Sequence, residues 1–232
     1  MAASRSIRLA VFDCDGTLVD SQHSIVASMH RSFDAHGFAR PAPNDVRRVV
    51  GLPLREAIVR LLPDGVEDDH ARLEAGYIEA FRGLREQGAV IDTLYPGAIA
   101  ALDALGAGGW ILGVATGKSS RGLLATLQTH GIRDRFMTLQ TADMGPGKPN
   151  PDMLLNAMKE TGADPDATVM IGDTTYDMEM ARRAGAMALG VAWGYHPEED
   201  LLSAGAHFVI RNFDELTTRL ESLGGAPEGD ST

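Results

Sequence analysis

Cysteine is nearly absent. The 232-residue chain has one, Cys14, so no disulfide can form within it. Long apolar runs are missing too: no stretch approaches the roughly 20 residues that a helical membrane span requires. The opening residues run straight into a strand-like segment with no apolar leader region. These absences point to a cytoplasmic protein with no membrane partner. Positive charge is outnumbered, with 21 Lys and Arg against 32 Asp and Glu, a formal net charge of −11. Such a surface repels nucleic acid and anionic lipid. An anionic ligand must therefore be met by a local group of cations. Between Ser21 and Gly88 there is no lysine, and the aromatics are few: Phe33, Phe38, Tyr77 and Phe81. Three of these, Phe33, Tyr77 and Phe81, fit apolar helix stripes, which leaves little to stack a nucleobase.

What is present is an ordinary globular balance, 44% hydrophobic and 23% charged, in a chain long enough for one large core or two modest ones. The organising stretch is Arg8-Leu-Ala-Val-Phe-Asp-Cys-Asp-Gly-Thr17. Leu9 to Phe12 reads as a strand buried on both faces. It ends on Asp13 and Asp15, which, two residues apart, can face one cleft. Buried carboxylates are costly unless a cation or a proton pairs with them. Cys14, between them, reads as a small buried residue.

From Ser21 to about Gly88 every pattern is helical. Apolar residues recur at Ile25, Met29 and Phe33, at Ala57, Ile58 and Leu61, and at Leu73, Tyr77, Phe81 and Leu84. After Tyr95-Pro-Gly97 strands and helices alternate. Strands are predicted at 110–116, 136–141, 167–171, 187–192 and 207–210. Helices are predicted at 97–105, 119–130, 151–161, 175–184, 198–204 and 213–223. Alternation of this kind gives an open parallel sheet with helices on both faces. The fold class is therefore α/β: a Rossmann-like core from residues 1–20 and 89–223, with an all-helical cap, 21–88, inserted. Residues 224–232, rich in Gly, Pro and acid, read as a disordered tail.

Open parallel sheets bind ligands beyond the carboxyl ends of their strands. Four such ends carry chemistry: Asp13 and Asp15; Thr116-Gly117-Lys118-Ser119; Gly147-Lys148-Pro149; and Gly172-Asp173-Thr174-Thr175-Tyr176-Asp177. Gly113 to Ser119 is not a nucleotide-binding P-loop, because that motif has four residues between its glycines and this one has three.

Asp-x-Asp-Gly-Thr and the three later motifs, in this order, resemble the haloacid dehalogenase superfamily over nearly the whole chain. The turn Gly51-Leu-Pro-Leu54 and the segment Val191-Ala-Trp-Gly-Tyr-His196 resemble its phosphoglycolate phosphatase-like subgroup. The resemblance implies that Asp13 is a nucleophile forming an aspartyl-phosphate, and that Asp15 is the general acid and base. It implies Mg²⁺ held by Asp13, Asp173 and the Asp15 carbonyl, with Asp177 steadying a metal-bound water. Lys148 would neutralise phosphoryl oxygens. Thr116 would offer its hydroxyl, and the backbone N–H groups of Gly117 and Lys118 would lie nearby. A helical cap would contact the rest of the substrate, and the candidates there are Arg47, Arg48, Arg55 and His23. The partner is then a small phosphorylated metabolite, with 2-phosphoglycolate as the leading example. A phosphosugar mutase, a nucleotidase or pyrophosphatase, and a non-catalytic binding module are the competing readings. A nearly irreducible minimum follows for any of the enzymes: Asp13→Asn must remove turnover.

Overall fold

The computed structural model describes residues 7–224. In chain order, β1 (Arg8–Phe12) is followed by a two-residue strand, β2 (Val19–Asp20). Four helices come next: α1 (Gln22–Ala35), α2 (Pro43–Val49), α3 (Leu54–Leu61) and α4 (Glu67–Glu86). A second short strand, β3 (Thr93–Leu94), pairs antiparallel with β2 and brings the chain back. The alternating half then runs α5 (Ala98–Ala107), β4 (Trp110–Thr116), α6 (Ser120–Thr129) and β5 (Thr138–Thr141). It continues through α7 (Asp152–Thr161), β6 (Thr168–Gly172), α8 (Thr175–Arg183) and β7 (Met187–Val191). It closes with α9 (Glu198–Ser203), β8 (Phe208–Ile210) and α10 (Phe213–Gly224). Gly224 thus ends a helix, and residues 225–232 of the expected tail lie outside the described residues.

Six strands form one sheet in the order β5-β4-β1-β6-β7-β8, and every pairing is parallel. The fold is α/β, as the alternation implied. β1 sits in the interior, Leu9 beside Ile111 on one side and Thr168 on the other. Its side chains alternate between two apolar layers. Ala10 and Phe12 pack with residues of α5, α6 and α10, while Leu9 and Val11 pack with residues of α7 and α8. A strand covered on both faces has no polar positions to spare, which explains its unbroken apolar run.

The helical insertion has its own small core, centred on Ile25, Met29, Phe33, Val46, Ile58 and Leu73. A separate cluster joins it to the sheet domain: Val49, Leu52 and Ala57 pack with Tyr176 of α8. The Tyr176 hydroxyl donates to the Arg48 carbonyl at 2.9 Å and accepts from Arg60 Nη1 at 3.0 Å. His196 Nε2 lies 3.1 Å from the same carbonyl. With its Nδ1 accepting from Thr175 N at 3.2 Å, the imidazole is the neutral Nε2–H tautomer donating to Arg48. The turn 51–53 rests directly on the backbone of Gly117 and Gly147. A β-carbon at Gly117 would lie 2.8 Å from the Gly51 carbonyl oxygen, and one at Gly147 would overlap the Pro53 ring. The helical layer is seated on the strand ends.

Candidate active site

The sheet brings the four motif-bearing ends together. Asp13 follows β1 directly, and its N–H donates to the Ile171 carbonyl of β6 at 2.9 Å. Asp15 lies two residues on, and Gly16 turns the chain at a φ of 83°. Only a glycine fits there, because a β-carbon would overlap the Asp173 carboxylate; Gly194 makes the same close approach to Asp173. Backbone thus wraps Asp173. Thr17 Oγ1 donates to its Oδ1 at 2.8 Å, and the Tyr195 N–H donates to its Oδ2 at 2.9 Å.

Lys148, from the loop after β5, is fully buried. Its ammonium lies 2.9 Å from Asp13 Oδ1 and 2.6 Å from Asp177 Oδ1. Asp177 divides its oxygens: Oδ2 accepts from Thr174 N at 3.0 Å and Thr174 Oγ1 at 2.7 Å, capping α8. Asp13 Oδ1 also accepts from Cys14 N at 2.6 Å, whereas Asp13 Oδ2 is buried with no hydrogen-bond partner. Thr116 is buried at the end of β4, its hydroxyl oxygen accepting from Lys118 N at 3.2 Å.

Two partners of Asp15 have no precedent in the sequence pattern. Lys118 Nζ lies 2.7 Å from Asp15 Oδ1, and the Ser21 hydroxyl donates to the same oxygen. Lys118 is 103 positions from Asp15 and Ser21 is six, and neither spacing belongs to a helix or strand period. Trp193 Nε1 donates to the Thr17 carbonyl at 3.1 Å, bracing the turn beneath Asp173. The loop after β7 stood out by its residues, but nothing local links Trp193 or Tyr195 to Asp173.

The electrostatics follow from burial. Burial pushes the Asp13 carboxyl up; Lys148 opposes this, Asp177 and Asp15 reinforce it, and the result is about 7. Burial, then the neighbouring Asp13 and Asp177, raises Asp173 well above the usual carboxylate range. For both lysines burial works against the charge, but the carboxylates around them outweigh it and hold the ammonium above its ordinary value. Burial likewise keeps the Cys14 thiol protonated, so it is a packing residue rather than a nucleophile.

Asp13, Asp173 and Asp177 each place a carboxylate oxygen within 4.8 Å of the others. Lys148 pairs with Asp13 and Asp177 but not with Asp173, so the cluster, once ionised, carries an excess of negative charge. An all-oxygen donor set, with one buried oxygen unpartnered, suits a hard divalent cation.

A cavity of about 490 Å³ opens above Asp13 and Asp15, between the strand ends and the helical layer. Thr116, Gly117 and Lys118 line it from the sheet side, and Arg55, Arg82, Arg85 and Arg121 bring cations to it. Of the expected substrate contacts in the helical layer, Arg55 is there. Arg47, Arg48 and His23 are not. Arg47 and His23 line a separate shallow groove with Val26 and His30, on the other side of α1. Arg48 is exposed, and its carbonyl takes hydrogen bonds from Tyr176 and His196 of the sheet domain. The helical period places Arg47 and Arg48 off the buried face of Val46 and Val49, which leaves Arg48 exposed and Arg47 half-buried away from the cavity. Arg82, Arg85 and Arg121 were not singled out from the sequence, where they look like ordinary solvated helix residues.

This arrangement, a cation-lined cleft over buried aspartates at the carboxyl ends of a parallel sheet, is that of a hydrolase of phosphate esters. Residues 10–191 match the model of the haloacid dehalogenase-like hydrolase family, and the chain belongs to that family. It is 34% identical over 218 residues to the probable phosphatase IndB of Dickeya dadantii, covering 93% of this chain and 94% of that protein. It is 31% identical over 219 residues to a phosphoglycolate phosphatase of Vibrio vulnificus, covering 91% and 95%. Among solved structures, a hydrolase from Pseudomonas syringae superposes with a TM-score of 0.79 at 27% identity, covering 93% of this chain and 98% of that one. The protein is a phosphatase. Among the described residues no helix is long and apolar enough to cross a membrane.

Proposed function

We propose that the protein is a Mg²⁺-dependent phosphomonoesterase acting through an aspartyl-phosphate on a small, carboxylate-bearing phosphate ester. The observation that carries the reading is Asp13 Oδ2, buried and unpartnered beneath the cavity. It attacks phosphorus, an Asp13–phosphorus bond forms, and the bond to the alcohol oxygen breaks. Asp15 gives the departing oxygen a proton, then takes one from the water that attacks phosphorus and releases Asp13. Both donors to Asp15 meet Oδ1, which leaves Oδ2 for that proton. Lys148 holds Asp13 in place and supplies positive charge where phosphoryl charge accumulates. Asp13, Asp173 and the Asp15 carbonyl would hold the metal ion, with Asp177 behind them. When bound, the ion neutralises negative charge on the phosphoryl oxygens.

The carboxylate preference is supported by the phosphoglycolate phosphatase relative. It is also supported by arginines at the cavity of a strongly acidic chain. A guanidinium takes a carboxylate in a two-pronged geometry. Arg82, Arg85 and Arg121 suit this role, since none forms an ion pair among the described residues. The test is phosphate release from para-nitrophenyl phosphate and 2-phosphoglycolate, with Mg²⁺ and with excess chelator. Turnover should require Mg²⁺ and favour the carboxylated ester. Full activity in chelator overturns the metal assignment, and no preference overturns the substrate class.

A further inference from the structure

We propose that the Tyr77 hydroxyl is the helical layer's hydrogen-bond donor to the substrate, meeting a carboxylate oxygen of the leaving alcohol near Lys118. The proposal rests on the carboxylated-ester reading above and gives a part in it to a residue that neither charge nor motif singles out. Three observations support it.

The first is the hydroxyl itself. Tyr77 belongs to α4, and its half-buried ring packs on the core of the helical layer. A tyrosine packed in this way ordinarily gives its hydroxyl a partner. Tyr176 follows that rule, donating to the Arg48 carbonyl and accepting from Arg60. The Tyr77 hydroxyl has no hydrogen-bond partner among the described residues. It is also not one of the fully buried atoms left without one. Tyr77 lines the cavity, so this group is both unspent and open to a ligand there.

The second is position. Tyr77 and Phe81 stand one turn apart on α4, with ring centres 6.0 Å apart. Lys118 Nζ lies 5.6 Å from the Phe81 ring centre and 2.7 Å from Asp15 Oδ1. Of the charges that act on the Tyr77 phenol, Lys118 comes first and Asp15 second. The hydroxyl is therefore on the side of the cavity where Asp15 protonates the leaving oxygen. In a phosphorylated 2-hydroxy acid the carboxylate is carried by the carbon that bears that oxygen, so it falls on the same side. A carboxylate has acceptor sites for several donors, and one of the cavity arginines can share it.

The third is chemistry. Burial pushes the phenol above its ordinary range, and Lys118, which opposes this, does not overcome it. The hydroxyl keeps its proton and acts as a donor. Its hydrogen bond to an ionised acceptor is stronger than one to a neutral oxygen. A site that spends a donor on one substrate group discriminates against analogues that lack the group.

The experiment compares kcat/KM, with Mg²⁺ present, for 2-phosphoglycolate, ethyl phosphate and phenyl phosphate. Ethyl phosphate has the same chain length without the carboxylate, and neither reference ester has an acceptor beyond the phosphate. The enzyme is used as wild type and as Tyr77→Phe, which removes the hydroxyl and keeps the ring. The wild type should favour 2-phosphoglycolate over ethyl phosphate. Tyr77→Phe should lower that ratio by about tenfold or more, and the thermal midpoint should hold because the hydroxyl has no partner to lose. The ratio between esters does not change with any fraction of inactive enzyme, so it decides even if the midpoint falls. A variant that keeps the wild-type ratio, whether or not it slows all three esters alike, overturns the proposal. A wild type with no preference for 2-phosphoglycolate is a different failure, which removes the carboxylated substrate class and this role of Tyr77 with it. No phosphate release from any of the three removes the phosphatase mechanism itself.

Discussion

Asp13 and Asp15 are two residues apart and have different partners. Asp13 is buried against Lys148 with one oxygen free, and Asp15 is held through one oxygen by Lys118 and Ser21. Asp13→Asn should abolish turnover while the thermal midpoint holds or rises, because one of several crowded carboxylates is removed. Activity within about tenfold of wild type, a barrier change of only about 1.4 kcal/mol, would rule out the nucleophile. Lys118→Met should lower kcat roughly 10–100-fold by leaving the proton-transfer group without its ammonium, with KM for para-nitrophenyl phosphate little changed. A KM effect alone would make Lys118 a binding residue instead. That Asp13, Asp15, Thr116 and Asp173 meet at one edge is legible because each lies at or just beyond the carboxyl end of a parallel strand, and Lys148 and Asp177 follow on the loop after β5 and the first turn of α8. The Lys118–Asp15 pair, Ser21, and the loop donors Tyr195 and Trp193 are not legible, because a contact between distant loops leaves no periodic trace. The arginines failed differently. Charge and nearness to a turn single out Arg47 and Arg48, but which face a helix turns inward is settled by its apolar neighbours, here Val46 and Val49.

At the level of elements, the strands of the main sheet and the long helices follow their patterns closely, with ends displaced by a residue or two. β5 is shorter than its apolar pattern suggested, Thr138–Thr141 rather than from Phe136, because Phe136 packs into the core from a turn after the short helix Arg133–Arg135. β2 and β3 carry no signal at all: two residues are too few to show alternation. Yet they are the two crossings between the sheet domain and the helical layer. How that layer seats depends on glycines as much as on apolar contacts. Gly147→Ala puts a methyl into the Pro53 ring, whereas Gly145→Ala, two residues away, meets nothing within 4 Å. Gly147→Ala should lower kcat/KM by about tenfold or more, as expected when a closing element is held off its catalytic residues. It should also speed limited proteolysis of the 51–53 turn. Gly145→Ala should match wild type in both assays. Equal behaviour of the two variants would show that contact at Gly147 has no part in closure.

For the molecule as a whole, the acidic cluster is a liability until a cation binds. Asp13 rises from 3.8 to about 7 on folding, so in the metal-free protein the folded state holds a proton that the unfolded state releases between those values. Stability is therefore greatest on the acid side of this window and is lost as pH rises through about 7. On the reading proposed above, Mg²⁺ would take the place of that proton. Its effect on the thermal midpoint should thus be larger at pH 8 than at pH 5, and at a hundredfold excess over its dissociation constant it contributes about 2.7 kcal/mol. A midpoint gain independent of pH would argue against binding at Asp13, and Asp173→Asn should remove the gain altogether.

The strand order has a consequence for how the chain comes into being. β1 leaves a ribosome before either of its neighbours, β4 and β6, and Leu9 must wait for Thr168 before its second edge is covered. Until then the apolar run Leu9–Phe12 has an open edge, a template for pairing with another copy. Val11 and Phe12 are thus hazards during synthesis for the same reason that they are well buried afterwards, and slow translation before residue 168 should favour aggregation over yield.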